Sequence, residues 1–98
     1  MELHYLIFEA SDDGGDIGTW EAMASARGNE LARVLEEVEV VMQAALAQAP
    51  GVQGPLDEGG VWDADVQQQA EAEWVTVTLT LTGPWAWGES LVRSFAAE

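Results

Sequence analysis

Hydrophobic positions recur along this chain with periods that regular backbone can satisfy. The sharpest case runs from Val75 to Thr82, where Val75, Val77, Leu79 and Leu81 alternate with Thr76, Thr78, Thr80 and Thr82. A period of two predicts a strand with one face against a core. In Val61–Gln67, Trp62, Ala64 and Val66 alternate with Asp63, Asp65 and Gln67, which predicts a half-buried strand; Glu71-Ala72-Glu73 then turns the chain into the threonine strand. At the start, Leu3-His4-Tyr5-Leu6-Ile7-Phe8 is apolar on both alternating faces and reads as an interior strand. The Ser11–Gly18 stretch, rich in Asp and Gly, predicts a loop, and Thr19–Ser25 a second, less marked strand.

A different period governs the middle of the chain. Leu31, Val34, Leu35, Val38, Met42, Ala45 and Ala49 fall at helical spacing, with Asn29 as the expected N-cap, Glu30 in the first turn and Pro50-Gly51 as the stop. Five Gly or Pro residues between Gly51 and Gly60 predict a long loop. After Gly83-Pro84, Trp87, Leu91 and Phe95 recur every four residues, flanked by Trp85 and Val92, which predicts a short amphipathic helix despite Gly88. The order strand, strand, long helix, strand, strand, short helix describes an α+β fold. An antiparallel sheet of about four strands would carry both helices on one face, in a single domain spanning 1–98.

Composition narrows the chemistry. The 98 residues hold 18 acids against three basic side chains, a formal net charge of -15. The acids are spread evenly, with ten in residues 1–49 and eight in 50–98, so no acidic tail exists. With 48% hydrophobic residues the chain is not of the disordered class. Cysteine and lysine are both absent, which removes disulfides, thiolate metal sites, Schiff-base chemistry and a phosphate loop ending in Gly-Lys. The single histidine, His4, lies in an apolar segment and reads as a packing residue rather than a base. An acidic coat repels phosphates, so neither nucleic acid nor membrane is an expected partner. No apolar run is long enough to span a bilayer and Met1-Glu2 opens no basic targeting region, so the expected location is the cytoplasm.

Three groups of residues remain as candidates. Asp12, Asp13 and Asp16 sit in a glycine-rich loop of the kind that ligates calcium or magnesium. Counting from Asp12, however, Gly14, Ile17 and Met23 fall where an EF-hand needs an oxygen ligand, a glycine and a glutamate, and a solvated turn accounts for the aspartates equally well. No cofactor is expected. Asp63 and Asp65, with Trp62 of the same predicted strand, are the residues a carboxylate-dependent enzyme or ligand-binding domain would use. The third group is an interaction surface: Trp74 shares its parity with Thr76, Thr78 and Thr80 and points away from the core, while Val40, Ala44 and Ala47 form a second apolar line on the long helix. Most of the five tryptophans are expected in the core.

The leading expectation is a small acidic, non-catalytic protein-binding or regulatory domain that self-associates. The alternatives are the carboxylate-dependent enzyme or ligand-binding domain, and an acidic antagonist of a basic protein, immunity-like or a nucleic-acid mimic. Glu30 and Glu37 on one flank of the helix, Glu39 on the other and Glu36 behind surround it without forming one phosphate-like row, which argues against mimicry.

Overall fold

The computed structural model describes residues 3–12 and 14–95. Four antiparallel strands, β1 (Phe8–Asp12), β2 (Ile17–Ala26), β3 (Asp63–Glu71) and β4 (Trp74–Pro84), form one sheet in the order β1-β2-β4-β3. Helices α1 (Asn29–Ala47) and α2 (Trp85–Arg93) both cover the same face of it, giving the β-β-α-β-β-α α+β architecture that the periodicities predict. The alternation of β4 is realised residue by residue: Val77, Leu79 and Leu81 are buried under the helices, and the threonines between them face away. β2 follows suit, burying Gly18, Trp20, Ala22, Ala24 and Ala26. Its alanines let α1 approach the sheet closely, and Val34, Val38, Val41 and Ala45 of the helix close the core against them.

The first strand departs from expectation. Leu3–Ile7 is bent, and β1 begins only at Phe8, at the edge of the sheet rather than in its interior. The residues Ser11 and Asp12, expected in a loop, are strand residues paired with Thr19 and Gly18. The cause is Glu37. This glutamate lies between Val34 and Val41 in the buried stripe of α1 and is only 7% exposed. Its carboxylate takes the amides of the N-terminal segment: His4 N–H donates to Oε2 at 2.7 Å, Tyr5 N–H to Oε1 at 3.0 Å, and Leu6 N–H to Oε1 at 3.1 Å. Three successive amides aimed at one anion cannot also serve a sheet ladder, so the segment curls over the helix, burying Leu6 and half-burying Leu3 and Tyr5. The expectations that Leu3–Phe8 is an interior strand and that Glu37 is one of the carboxylates on the outside of the helix are corrected accordingly.

Smaller shifts have local causes. The N-cap of α1 is Gly28 at φ 59°, with Asn29 already helical and no side-chain cap bond. The helix ends at Ala47, two residues short of Ala49, and Val41 rather than Met42 is its fully buried residue there. β3 runs on to Glu71, where a two-residue turn, Ala72-Glu73, reverses the chain into Trp74. Ala72 takes φ 56° there, the backbone region such tight hairpins require.

At one end of the core four tryptophans interlock. Trp20 stacks on Trp85 with ring centroids 5.2 Å apart and meets Trp87 edge-on at 6.3 Å, while Trp87 and Trp62 lie 5.2 Å apart. Glycines make the space. A Cβ on Gly18 would stand 2.5 Å from Cε3 of Trp85, one on Gly83 2.8 Å from Trp87, and one on Gly88 would overlap the six-membered ring of Trp20. Trp62 ties the loop to this cluster by donating its indole N–H to the Gly51 carbonyl at 3.2 Å, and Trp85 donates to Glu89 at 2.6 Å. The buried indole N–H of Trp87 has no acceptor among the described residues, a cost of about 1–3 kcal/mol that ring packing offsets.

Two outcomes check this account. Gly88→Ala gains about 1 kcal/mol of helix propensity but forces a methyl group into the Trp20 ring, so a net loss of about 2 kcal/mol or more is expected in urea unfolding. Glu37→Ala leaves three amides without their acceptor; a loss of about 3 kcal/mol is expected, with amide exchange of His4, Tyr5 and Leu6 rising towards that of free backbone while the β2–β4 ladder stays protected.

Candidate functional site

Because both helices lie on one side, no described residue outside the sheet covers the central rows of its other face. Its make-up follows from register, since directly paired residues share a face. One cross-strand row reads Glu9, Glu21, Thr80, Asp65; the next, towards the β1–β2 turn, reads Ser11, Thr19, Thr82, Asp63. In the opposite direction come Met23, Thr78 and Gln67, then Ser25, Thr76 and Gln69, and finally Trp74 with Glu71. One hydroxyl pair bridges β2 and β4, the Ser25 and Thr76 oxygens being 2.8 Å apart.

Two features of this face stand out energetically. Glu9 and Glu21 are direct cross-strand partners, a like-charge pairing that costs sheet stability, and Asp65 extends the same row across β4. Among the described residues Arg27 is the only basic side chain on this side, and it is occupied: its guanidinium lies 5.1 Å from the centre of the Trp74 ring and 3.4 Å from the Glu73 carboxylate. Beside the carboxylates sit exposed apolar groups. Met23 is 56% and Ile7 77% exposed, and with Glu9 and Glu21 they line an open depression of about 440 Å³. Trp74, 44% exposed, lines another of about 490 Å³ with Ser25, Glu71, Ala72 and Thr76.

The sequence candidates are distributed as follows. Trp74, Thr76, Thr78 and Thr80 all lie on the open face. Val40 and Ala44 do not join them or form a free helix patch: both are half-buried against the core, Val40 on the flank that His4 and Tyr5 also line, and only Ala47 is exposed. A depression of about 500 Å³ remains there, lined by His4, Tyr5, Arg33, Glu36, Glu37 and Val40. Asp63 and Asp65 share the open face, but Trp62 is buried on the other side, so strand alternation separates the tryptophan from the two carboxylates it was grouped with. Asp63 is engaged locally, accepting from the Ala64 N–H at 2.9 Å. Asp12 accepts from the Gly14 N–H at 3.1 Å as a turn residue; Asp16 is exposed and gives its backbone carbonyl to the Trp85 N–H at 2.8 Å; Asp13 lies outside the described residues. No group of three or more His, Cys, Asp or Glu side chains among the described residues is placed to hold a metal ion. None of the described helices is long and apolar enough to cross a membrane.

Sequence reasoning missed Glu9, Glu21 and Met23. Their signal was present in the alternation of β2, where Glu21, Met23 and Ser25 take the parity opposite to Trp20, Ala22 and Ala24. No protein-family model, curated protein or solved structure matches this chain.

The exposure of Trp74 is directly checkable. Trp74→Phe removes the emission most readily quenched by acrylamide and shifts the remaining fluorescence to shorter wavelength. Stability should change by no more than about 1 kcal/mol, since only the Arg27 stacking and partial burial are lost.

Proposed function

We propose that this chain is a small non-catalytic domain that binds a basic protein through the open face of its sheet. The observation that carries the reading is the row Glu9, Glu21, Asp65, which spans the sheet with no basic side chain in it. A row of this kind costs the isolated fold energy, and a cationic partner returns that energy on binding. Met23, Ile7 and Trp74 supply the apolar anchors that a stable contact needs beside its charges. Self-association through the same face is the less favoured version, because apposing two copies brings carboxylates against carboxylates on chains of net charge -15. A carboxylate enzyme is less favoured too: Asp63 and Asp65 line an uncovered sheet face, where water screens them and no wall encloses a substrate. Within this reading the location is the cytoplasm and the role is antagonism or sequestration of the basic partner.

The test compares two variants with equal change in net charge. Glu21→Lys/Asp65→Lys reverses the open face, and Glu36→Lys/Glu39→Lys reverses the exposed side of α1. Proteins retained by the immobilised wild-type chain should bind the face variant about a hundredfold less tightly and the helix variant within a few-fold of wild type, by surface plasmon resonance. Equal loss in both variants, or in neither, removes the open face as the working surface.

A further inference from the structure

The sheet has two edges, and they are not alike. β1 is five residues long, whereas β3 is nine, pairs with β4 in unbroken register from Asp63 to Glu71, and contains no proline, no lysine and no bulge. Those are among the devices by which edge strands are kept from pairing with other chains; the charges β3 does carry, Asp63, Asp65 and Glu71, are all of one sign. Its outward hydrogen-bonding groups follow from two bonds at its start. The Trp62 carbonyl points off the edge, where it accepts the Gly54 N–H at 2.9 Å, and the Ala64 N–H points the same way, where the Asp63 side chain takes it. Even-numbered residues therefore turn their N–H and C=O groups outward and odd-numbered ones towards β4. The start of the edge is closed by the chain itself, through the parallel bridge of Gln53 to Trp62. From Val66 through Gln68 to Ala70 it is open.

We infer that the open part of the β3 edge receives an extended segment of the basic partner as a fifth strand, one alternating basic and apolar residues. This rests on the open-face reading and adds the mode of attachment. Side chains opposite Asp65 and Glu71 would emerge on the open face, where basic groups meet those carboxylates; side chains opposite Val66 and Ala70 would emerge on the helix side, beside the exposed Val66 side chain. A second copy of β3 fits less well in the three antiparallel registers of longest overlap. Centring on Gln67 or Gln68 sets Asp63 or Asp65 against Glu71 of the second copy, and centring on Val66 runs the incoming strand onto Trp62, whose carbonyl Gly54 already holds.

The test uses a blocked seven-residue peptide alternating lysine and valine, and the same peptide with N-methyl groups along one edge, which keeps its charge but cannot extend a ladder. On binding the first peptide, amide exchange at Val66, Gln68 and Ala70 should slow at least tenfold, with Gln67 and Gln69 unchanged, because β4 already pairs them. The N-methylated peptide should give no such protection. Gln68→Pro removes one outward N–H and no β3–β4 bond, and should abolish protection with the circular dichroism spectrum retained; Asp65→Asn/Glu71→Gln, which keeps the backbone intact, should weaken binding several-fold. Binding that perturbs Met23 and Trp74 but protects none of the three amides overturns edge pairing and leaves the open-face reading standing. Absence of binding at low ionic strength overturns both, and protection that grows with protein concentration alone assigns the edge to a second copy and overturns the proposal.

Discussion

The fold depends on the fit of the Trp20 ring into space that glycines leave empty. Trp20 rises from β2 and lies between Trp85 and Trp87 of α2, with Gly88 of that helix directly beneath its ring and Gly18 and Gly83 clearing room for the neighbouring indoles. A glycine inside a short helix costs about 1 kcal/mol relative to alanine. Burying a tryptophan is worth several times that, so the exchange favours the glycine. The consequence is positional. α2 is locked over β2 and β4, Trp62 brings the long loop and the start of β3 to the same cluster, and the helix layer is committed to one side of the sheet.

That commitment decides what is left bare. α1 fills the rest of the same face, held close by the alanines of β2, and Glu37 draws the N-terminal segment over its flank. What could have been a fifth strand becomes a cover for the helix instead. Among the described residues nothing covers the opposite face, and β3 beyond Ala64 extends past the helices with its Val66 side chain accessible.

Most of this was legible from periodicity. β4 and α2 stand where their patterns predict, and α1 ends two residues early, because alternation over eight residues or an i, i+4 stripe leaves little freedom in which face turns inward. Leu3–Phe8 was not legible, since an apolar run without alternation specifies burial but no direction of hydrogen bonding, and a distant carboxylate supplied the direction. Glu37 itself could have been suspected: an acid at a position that is i+3 from Val34 and i−4 from Val41 must be buried, and a buried carboxylate needs donors. The separation of Trp62 from Asp63 and Asp65 follows from strand parity alone. The open face was only half legible, because its rows depend on how β1 and β2 pair with β4, and register is a property of two segments rather than one.

The net charge acquires a location through that register. Eighteen acids spread evenly along a sequence suggest a uniform coat, yet a sheet converts even spacing in sequence into rows in space. Glu9 and Glu21 are twelve positions apart in the chain and directly opposite in the sheet, with Asp65 in the same row two strands on. Either residue of the first pair could be neutral without harm to the core, since both point away from it. Evolution towards stability alone would favour a threonine at one of them, as β4 has at every outward position from Thr76 to Thr82. Local conflicts that folding does not require are where binding is to be sought, and this conflict is of a kind that one sign of charge resolves.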